Sequence, residues 1–556
     1  MFGKKMRHIS RYRDIAAALM SQGFEYIAAE MGLLQKAPAS SRSVAAGGPA
    51  TGVGERIRLV LEQLGPTYIK LGQIASTRPD LLPADIIREL EKLQDKVPSF
   101  SYPQVRIIIE QELGAALEEI YQRFDPAPLA AASIGQVHQA VLKTGERVAV
   151  KIQRPGIIAI INTDLEILQE LAGLAERRFA WAENYQIAGM VDELSKSLRN
   201  ELDYTIEAHN AEKIAKQFAA HPKIRIPKIY WEYSTKRVLT ADYIAGLKIS
   251  EVEKLKHRGY HLPLLAERLV KAIFHQIFWE GFFHGDPHPG NVVVLPGEVI
   301  GFLDFGMVGR LSPAMKYNLA SLIIALARQN SDNLVKAILR IGTVPDDVNM
   351  PRLRDDIELL REKYWGVPLS QISLGDAVSQ IFAIALKHKL RVPADLTLMG
   401  KTLLTIEGIV KELDPALSIL DVAEPFGRKL LMERLRPRVL AEAAWKNAAE
   451  IGDILSDLPQ QFRELSAVVR RGRLRLEVSI PELELLLKEQ NRMSNRLAFS
   501  MILMALGTMM AGIMIGLSIA GRPPALAGFP AVELGLGFAL LMFFWLLYAI
   551  LRSGKL

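Results

Sequence analysis

The 556-residue chain is 49% hydrophobic with a mean hydropathy of +0.14, and it contains no cysteine. That length suits two or more domains with full cores, and the missing cysteine excludes disulfides, thiolate zinc sites and cysteine nucleophiles. A net charge of +7, from 68 basic against 61 acidic residues, suits an anionic membrane face or a polyanionic ligand. It is too small to indicate nucleic-acid binding by itself, and no nucleic-acid partner is expected.

Met1–Arg13 is basic, but no uninterrupted apolar core follows it, so no secretory signal is read there. Ile15–Leu34 has amphipathic spacing, and residues 1–35 are expected to form a helical region that packs on the protein rather than on a membrane. Residues 36–54, rich in Ala, Ser, Gly and Pro, read as a flexible linker. Helical periodicity resumes at Glu55, breaks at Gly65-Pro66-Thr67, and continues through Lys70-Leu71-Gly72-Gln73. Pro66 suits the first turn of the second helix. From periodicity alone Lys70 and Gln73 are ordinary surface residues. A further helix over 101–120 completes a helical extension placed at 55–125.

Residues 126–246 read as a small mixed lobe. Val137–Leu142 and Arg147–Gln153 flank the turn Lys143-Thr144-Gly145-Glu146 and predict an antiparallel hairpin. Lys151 ends the string Val148-Ala149-Val150-Lys151, the form of the kinase strand whose lysine contacts the α- and β-phosphates. Where a kinase has its glycine-rich loop, this chain has Ala130-Ala131-Ala132-Ser133-Ile134-Gly135. Alanine does not easily take positive φ or let phosphates approach as closely. The segment Leu129 to Val137, Gln136 included, is therefore expected to contact nucleotide in a manner unlike that of a protein kinase.

Residues 160–215 are helical by pattern and include Glu201-Leu202-Asp203-Tyr204, Glu207 and Asn210. One of these carboxylates should pair with Lys151, as the helix-C glutamate does in kinases. Glu201 is the choice here, with Asp203 placed near the nucleotide. Ala241, Asp242 and Tyr243 fall where an adenine-contacting hinge would lie.

The stretch Phe282–Gly306 carries the chemistry. Asp286 sits two residues after His284, Asn291 follows five residues later, and a predicted hairpin (Val292–Leu295 and Val299–Leu303) leads to Asp304-Phe305-Gly306. Phosphoryl transfer needs one carboxylate to accept a hydroxyl proton or orient a nucleophile. It also needs a second carboxylate and a carboxamide oxygen to hold Mg²⁺. Asp286 suits the first role; Asn291 and Asp304 suit the second. A helical lobe is expected to about residue 450, in which Lys401, Arg428 and Arg436 carry no interpretable pattern.

Residues 451–496 are strongly charged, with Arg470, Arg471, Arg473 and Arg475 clustered, and contact with anionic lipid headgroups is one expectation for them. Leu497–Ala520 has no charge, and Ala525–Leu551 is apolar apart from Glu533. Each is long enough to span about 30 Å of hydrocarbon. Residues 497–551 are thus expected to form a transmembrane hairpin. The positive-inside rule then puts the catalytic domain and both termini on the cytoplasmic face of a bacterial inner membrane. Its glycines suggest self-association into a homodimer.

Four motifs together resemble the UbiB family of kinase-like proteins, known from coenzyme Q biosynthesis: Lys70-Leu71-Gly72-Gln73, Ala130–Ser133, Glu201-Leu202-Asp203, and His284–Asn291 with Asp304-Phe305-Gly306. The resemblance implies an α+β, two-lobed protein-kinase-like fold whose N-terminal KxGQ segment covers the peptide-binding region, with Lys70 and Gln73 pointing into the active site. It implies ATP or ADP and Mg²⁺ as ligands, ATPase activity in place of protein phosphorylation, and a link to quinone synthesis. Isoprenoid quinone precursors and quinone-biosynthetic enzymes would be the partners. A small-molecule or lipid kinase, or a nucleotide-gated scaffold, are the alternative readings.

Overall fold

The computed structural model describes most of residues 2–434 and scattered positions between 501 and 537. The description omits 26–51, 94–97, 183–186, 328–335, 341–347, 365–372 and 435–500, together with a few shorter stretches and most of 502–556. The chain divides into two units, Met1–Ala444 and Trp445–Leu556.

Helix α1 (Phe2–Ser21) begins well before the amphipathic stretch expected from Ile15, and Gly23, at φ +72°, stops the chain just past its end. Its Ile15 and Ala18 pack with Val60, Leu64, Tyr68, Ile167 and Leu171. Arg11 fixes this docking: Nε and Nη2 donate to the Asp164 carboxylate at 2.7 and 3.0 Å, and Nη2 also donates to the Leu64 carbonyl. Asp164 is 1% exposed; a carboxylate that deep is tolerated because it is paired.

Helices α2 (Val53–Leu64) and α3 (Pro66–Ser76) meet at Gly65, where φ is +90° and a side chain would be strained. Gly72 of α3 allows close packing: a Cβ there would lie 2.3 Å from Leu93 Cδ1 and 2.8 Å from Leu61 Cδ1. Helix α4 (Ala84–Leu90) closes this small bundle through Leu90, which clusters with Ile69 and Leu93.

A four-stranded antiparallel sheet, in the order β1-β2-β3-β5, follows helix α5 (Tyr102–Leu113). It is built from β1 (Tyr121–Ala131), β2 (Gly135–Leu142), β3 (Arg147–Gln153) and β5 (Val238–Asp242). Strand β1 thus begins inside the stretch assigned from sequence to the helical extension. Side chains of a strand alternate between faces. Val148, Val150 and Ile152 of β3 therefore go into a core with Val105, Ile108 and Ile109 of α5, while Ala149 and Lys151 face the opposite side.

Helices α6 (Ile157–Arg178), α7 (Ile187–Glu201) and α8 (Tyr204–Gln217) follow. The break between α7 and α8 falls at Leu202-Asp203. Asp203 is the N-cap of α8, its side chain accepting from the Thr205 amide at 3.1 Å, as aspartate commonly does at that position.

The second lobe has a sheet in the order β4-β9-β8-β6. The predicted hairpin is present as β8 (Val292–Leu295) and β9 (Val299–Phe302), in register Val292↔Phe302 to Leu295↔Val299. The other two strands are β4 (Ile224–Arg225) and β6 (Leu247–Lys248), and β7 (Phe282–His284) pairs separately with β10 (Val308–Arg310). Helix α9 (Leu262–Phe274) is buried along most of its length and runs into a π-helical turn, His275–Glu280. Helices α10 (Pro313–Ala327), α11 (Met350–Tyr364), α12 (Leu374–Lys387), α13 (Ala394–Leu413) and α14 (Ile419–Arg434) complete the lobe.

One expectation is corrected. Among the described residues no helix is long and apolar enough to cross a membrane, which conflicts with a multi-pass protein held at a bacterial inner membrane. A span needs some twenty consecutive apolar helical residues. The stretches 497–520 and 525–551 lie largely outside the described residues, as do the charged segment 451–496 and most of the linker expected at 36–54, whose last residues, Val53 and Gly54, instead begin α2.

Candidate active site

Strand β3 presents Lys151 toward α8. Its Nζ lies 2.8 Å from Glu207 Oε2 and 3.9 Å from Asp304 Oδ2, and 5.2 Å from the centroid of the Tyr204 ring. Burial alone would push the Lys151 ammonium down, but the Asp304 and Glu207 carboxylates outweigh it and hold the lysine well above its usual range. Burial pushes the Glu207 carboxyl up, against the pull of Lys151. Asp304 goes the other way: the Lys151 charge lowers it to about 2, so it is ionised at neutral pH.

The assignment of Glu201 as the partner of Lys151 is corrected by this geometry. Glu201 ends α7 and pairs with Lys70 of α3, Oε1 to Nζ at 2.9 Å. Glu207, on the far side of the Asp203 cap, is the carboxylate that reaches β3.

Around Lys151 is a cavity of about 370 Å³. Of the residues expected near nucleotide, Leu129, Ala130, Ala132, Ile134, Gly135, Val137, Ala241 and Asp242 line it, with Lys70, Glu201, Asn291 and Asp304. Ala131, Ser133, Gln136, Asp203 and Tyr243 do not. Ser133 is fully buried. Gln136 holds both polar groups of the Phe100 backbone, accepting its N–H at 2.9 Å and donating to its carbonyl at 3.3 Å. Asp203 is occupied as a helix cap. Tyr243 lies beneath the Arg147 guanidinium, 4.9 Å from ring centroid to carbon. The alanine-rich turn closes with the Ala132 amide donating to the Gly135 carbonyl at 2.8 Å, and every alanine keeps negative φ.

A second cavity, of about 920 Å³, adjoins the first through Lys70, Glu201 and Asp304. It takes in Gln73, whose Nε2 donates to the Leu93 carbonyl at 3.1 Å, and Asp286. His284 ties the two reactive loops together. It is fully buried, and burial pushes it below its ordinary value, so the ring is neutral. Nδ1 accepts from the Asp286 amide at 3.2 Å and Nε2–H donates to the Leu303 carbonyl at 3.0 Å. The Asn291 side-chain Nδ2 donates to the Asp286 carbonyl at 3.2 Å, and the Leu303 backbone N–H to the Asn291 carbonyl at 2.8 Å. The hairpin β8–β9 therefore brings Asn291 and Asp304 to one mouth. Asp304 holds φ at +55°, a backbone region costly for a residue with a Cβ, and its Oδ1 accepts from the Gly306 amide at 3.1 Å.

Sequence reasoning passed over two residues of this region. Tyr204 forms the floor under Lys151; it stood in the quoted motif but had no role. Lys401, on α13, lies 3.4 Å from Asp286 Oδ1, and no local pattern could have linked a residue so distant in sequence to that loop.

A two-lobed fold with a lysine–glutamate pair and an Asp–Asn–Asp set at one cleft defines an atypical kinase-like protein. Family profiles agree: the ABC1 atypical kinase-like domain matches residues 92–338, the UbiB helical domain 357–418, and the ABC1/UbiB kinase-like C-terminal domain 481–552. A probable protein kinase UbiB of Azotobacter vinelandii is 38% identical over 393 residues, 70% of this chain and 73% of that protein. An uncharacterized protein in the hydrogenase 1 5′ region of Clostridium pasteurianum is 35% identical over 506 residues, 90% and 94% of the two chains. The structure of Rv3197 with erythromycin from Mycobacterium tuberculosis is 27% identical, with a TM-score of 0.46, covering 66% of this chain and 93% of that one. The chain belongs to the UbiB family.

Proposed function

We propose that this protein is a Mg²⁺-dependent ATPase of kinase-like fold that supports ubiquinone or a related isoprenoid-quinone synthesis. One observation carries the reading: Lys151, its partner Glu207 and the ionised Asp304 converge in one cavity, while Asp286 lies in the cavity next to it.

Lys151 would bind the α- and β-phosphates, held in place by Glu207. The Asn291 carboxamide oxygen and the Asp304 carboxylate are hard oxygen donors of the kind Mg²⁺ prefers, and one or two such protein ligands suffice when phosphates supply the rest. Bound there, the ion would neutralise charge on the phosphates. Asp286, oriented through its amide by His284, would accept the proton of an attacking water or hydroxyl. Lys70, tied to Glu201, lines both cavities, and by the family resemblance its segment would cover the region where a kinase admits a peptide.

A second reading, transfer to a small-molecule or lipid acceptor, is favoured by the size of the cavity beside Asp286, about 920 Å³. Isoprenoid quinone precursors fit either reading, as acceptor or as stimulating ligand. Phosphate release from ATP by the purified chain, with and without a detergent-dispersed precursor, separates them, with Asp304→Asn as the metal-site control. Release that disappears in Asp304→Asn supports the ATPase. Phosphorylated product without free phosphate favours the kinase. Nucleotide binding with neither product would overturn both and leave a nucleotide-gated scaffold.

A further inference from the structure

Helix α13 belongs to the helical domain, remote in sequence from the catalytic loop, yet it meets that loop at three successive points. Leu398 packs on Gly285, where a Cβ would lie 2.7 Å from Leu398 Cδ2 and 3.0 Å from its Cγ. Thr402, fully buried, donates to the Gly285 carbonyl at 3.1 Å and to the Leu398 carbonyl at 3.0 Å. Lys401 places its ammonium 3.4 Å from Asp286 Oδ1. Positions 398 and 402 are one helical turn apart, so they stack on the same face, and 401 lies beside them at the edge of the second cavity.

We propose that Lys401 is a positioning residue for phosphoryl transfer, delivered to the catalytic carboxylate by the helical domain. The inference rests on the phosphoryl-transfer reading above. With the main chain clamped at Gly285, the remaining freedom of Asp286 is rotation of its carboxylate. Lys401 takes Oδ1, which leaves Oδ2, 3.9 Å from His288 Nε2, as the oxygen that meets the attacking hydroxyl or water. The loop Asp286-Pro287-His288-Pro289-Gly290-Asn291 contains no lysine or arginine of its own. Lys401 lines the Asp286 cavity and not the one around Lys151, so its work is on the acceptor side and should leave nucleotide affinity alone.

The test is steady-state phosphate release by the full-length chain, with nucleotide affinity measured separately, for Lys401→Gln, Lys401→Arg, Asp286→Asn and the double variant Asp286→Asn/Lys401→Gln. Lys401→Gln should lower kcat on the order of 10²-fold, the scale of a misplaced catalytic group, with KM for ATP and nucleotide affinity essentially unchanged. Lys401→Arg should recover most of that loss. In the Asp286→Asn background Lys401→Gln should add little, because groups acting as a unit are not additive. Additive losses, equal falls in turnover and nucleotide affinity, or wild-type turnover in Lys401→Gln would each overturn the proposal. Should the wild-type chain release no phosphate at all, the ATPase reading fails by itself, and the pair is read spectroscopically. In reductively ¹³C-methylated protein, the lysine resonance lost in Lys401→Arg should move in Asp286→Asn, and a resonance that stays in place would sink the inference.

Discussion

Glu207 Oε2 lies 2.8 Å from Lys151 Nζ, and Glu201 lies 2.9 Å from Lys70 instead. Two acidic residues of one short segment thus serve two different cations, one on the sheet and one on the N-terminal extension. The Asp203 cap separates them by ending one helix and starting the next.

The two carboxylates should consequently differ under substitution. Glu207→Gln leaves the largely buried Lys151 without its nearest counter-charge and should lower phosphate release on the order of 10²-fold or more, the scale for losing a preorganised electrostatic contact. Glu201→Gln removes a more exposed carboxylate than Glu207, and its direct effect on stability should stay within about 1 kcal/mol. Parallel rate and denaturation measurements decide. Equal rate losses in both variants would mean that Lys151 is not held by Glu207 in the working enzyme.

Gly285 is read here as a docking surface for α13. Gly285→Ala should destabilise by about 1–3 kcal/mol, as overpacking does, and should slow turnover by displacing Asp286. Because an added Cβ would meet the end of the Leu398 side chain, Gly285→Ala/Leu398→Ala should lose less stability than the sum of the single changes. A strictly additive urea-denaturation cycle would refute the contact.

His138 gives a pH dependence. It is fully buried in β2, its Nδ1–H donating to the Asp125 carbonyl at 2.8 Å and its Nε2 accepting from Gln136 at 2.9 Å. Burial lowers it from its ordinary value of 6.5. The unfolded chain therefore binds the proton more readily. The stability contributed by the neutral ring is complete above pH 6.5 and is lost as pH falls toward the folded value. One such group contributes a slope of at most about 1.4 kcal/mol per pH unit. Denaturation of wild type and His138→Gln between pH 7.5 and 5 should show a shallower slope in the variant, and identical slopes would exclude His138 as a source.

Much of the chemistry was legible in the residues. The alternation in Val148-Ala149-Val150-Lys151 sets Lys151 opposite the core, and the spacing of His284, Asp286, Asn291 and Asp304 survives folding because one tight hairpin joins its two halves. Both depend on local geometry, which period and turn chemistry encode. The choice between Glu201 and Glu207 was not legible in this way, since helical periodicity holds only within a continuous helix and the chain breaks between them. The segment Leu129–Val137 does reach the cavity around Lys151. Which of its side chains face the cavity was decided by neighbours: Gln136 turns to the Phe100 backbone and Ser133 into the core.

Residue type and spacing were enough for the kinase-like class of the chain, for the carboxylates Asp286 and Asp304 and the lysine Lys151 as candidate site residues, and for an alanine turn in place of a glycine loop. These are properties of residue type at short spacing, and folding does not change them. Only the tertiary structure decided which acid holds Lys151, that Lys70 is held by Glu201, and that α13 brings Lys401 to Asp286. Those pairings join segments far apart in the chain, and their partners are set by packing: a glycine where Leu398 must fit, and a buried threonine whose hydroxyl reaches the Gly285 carbonyl.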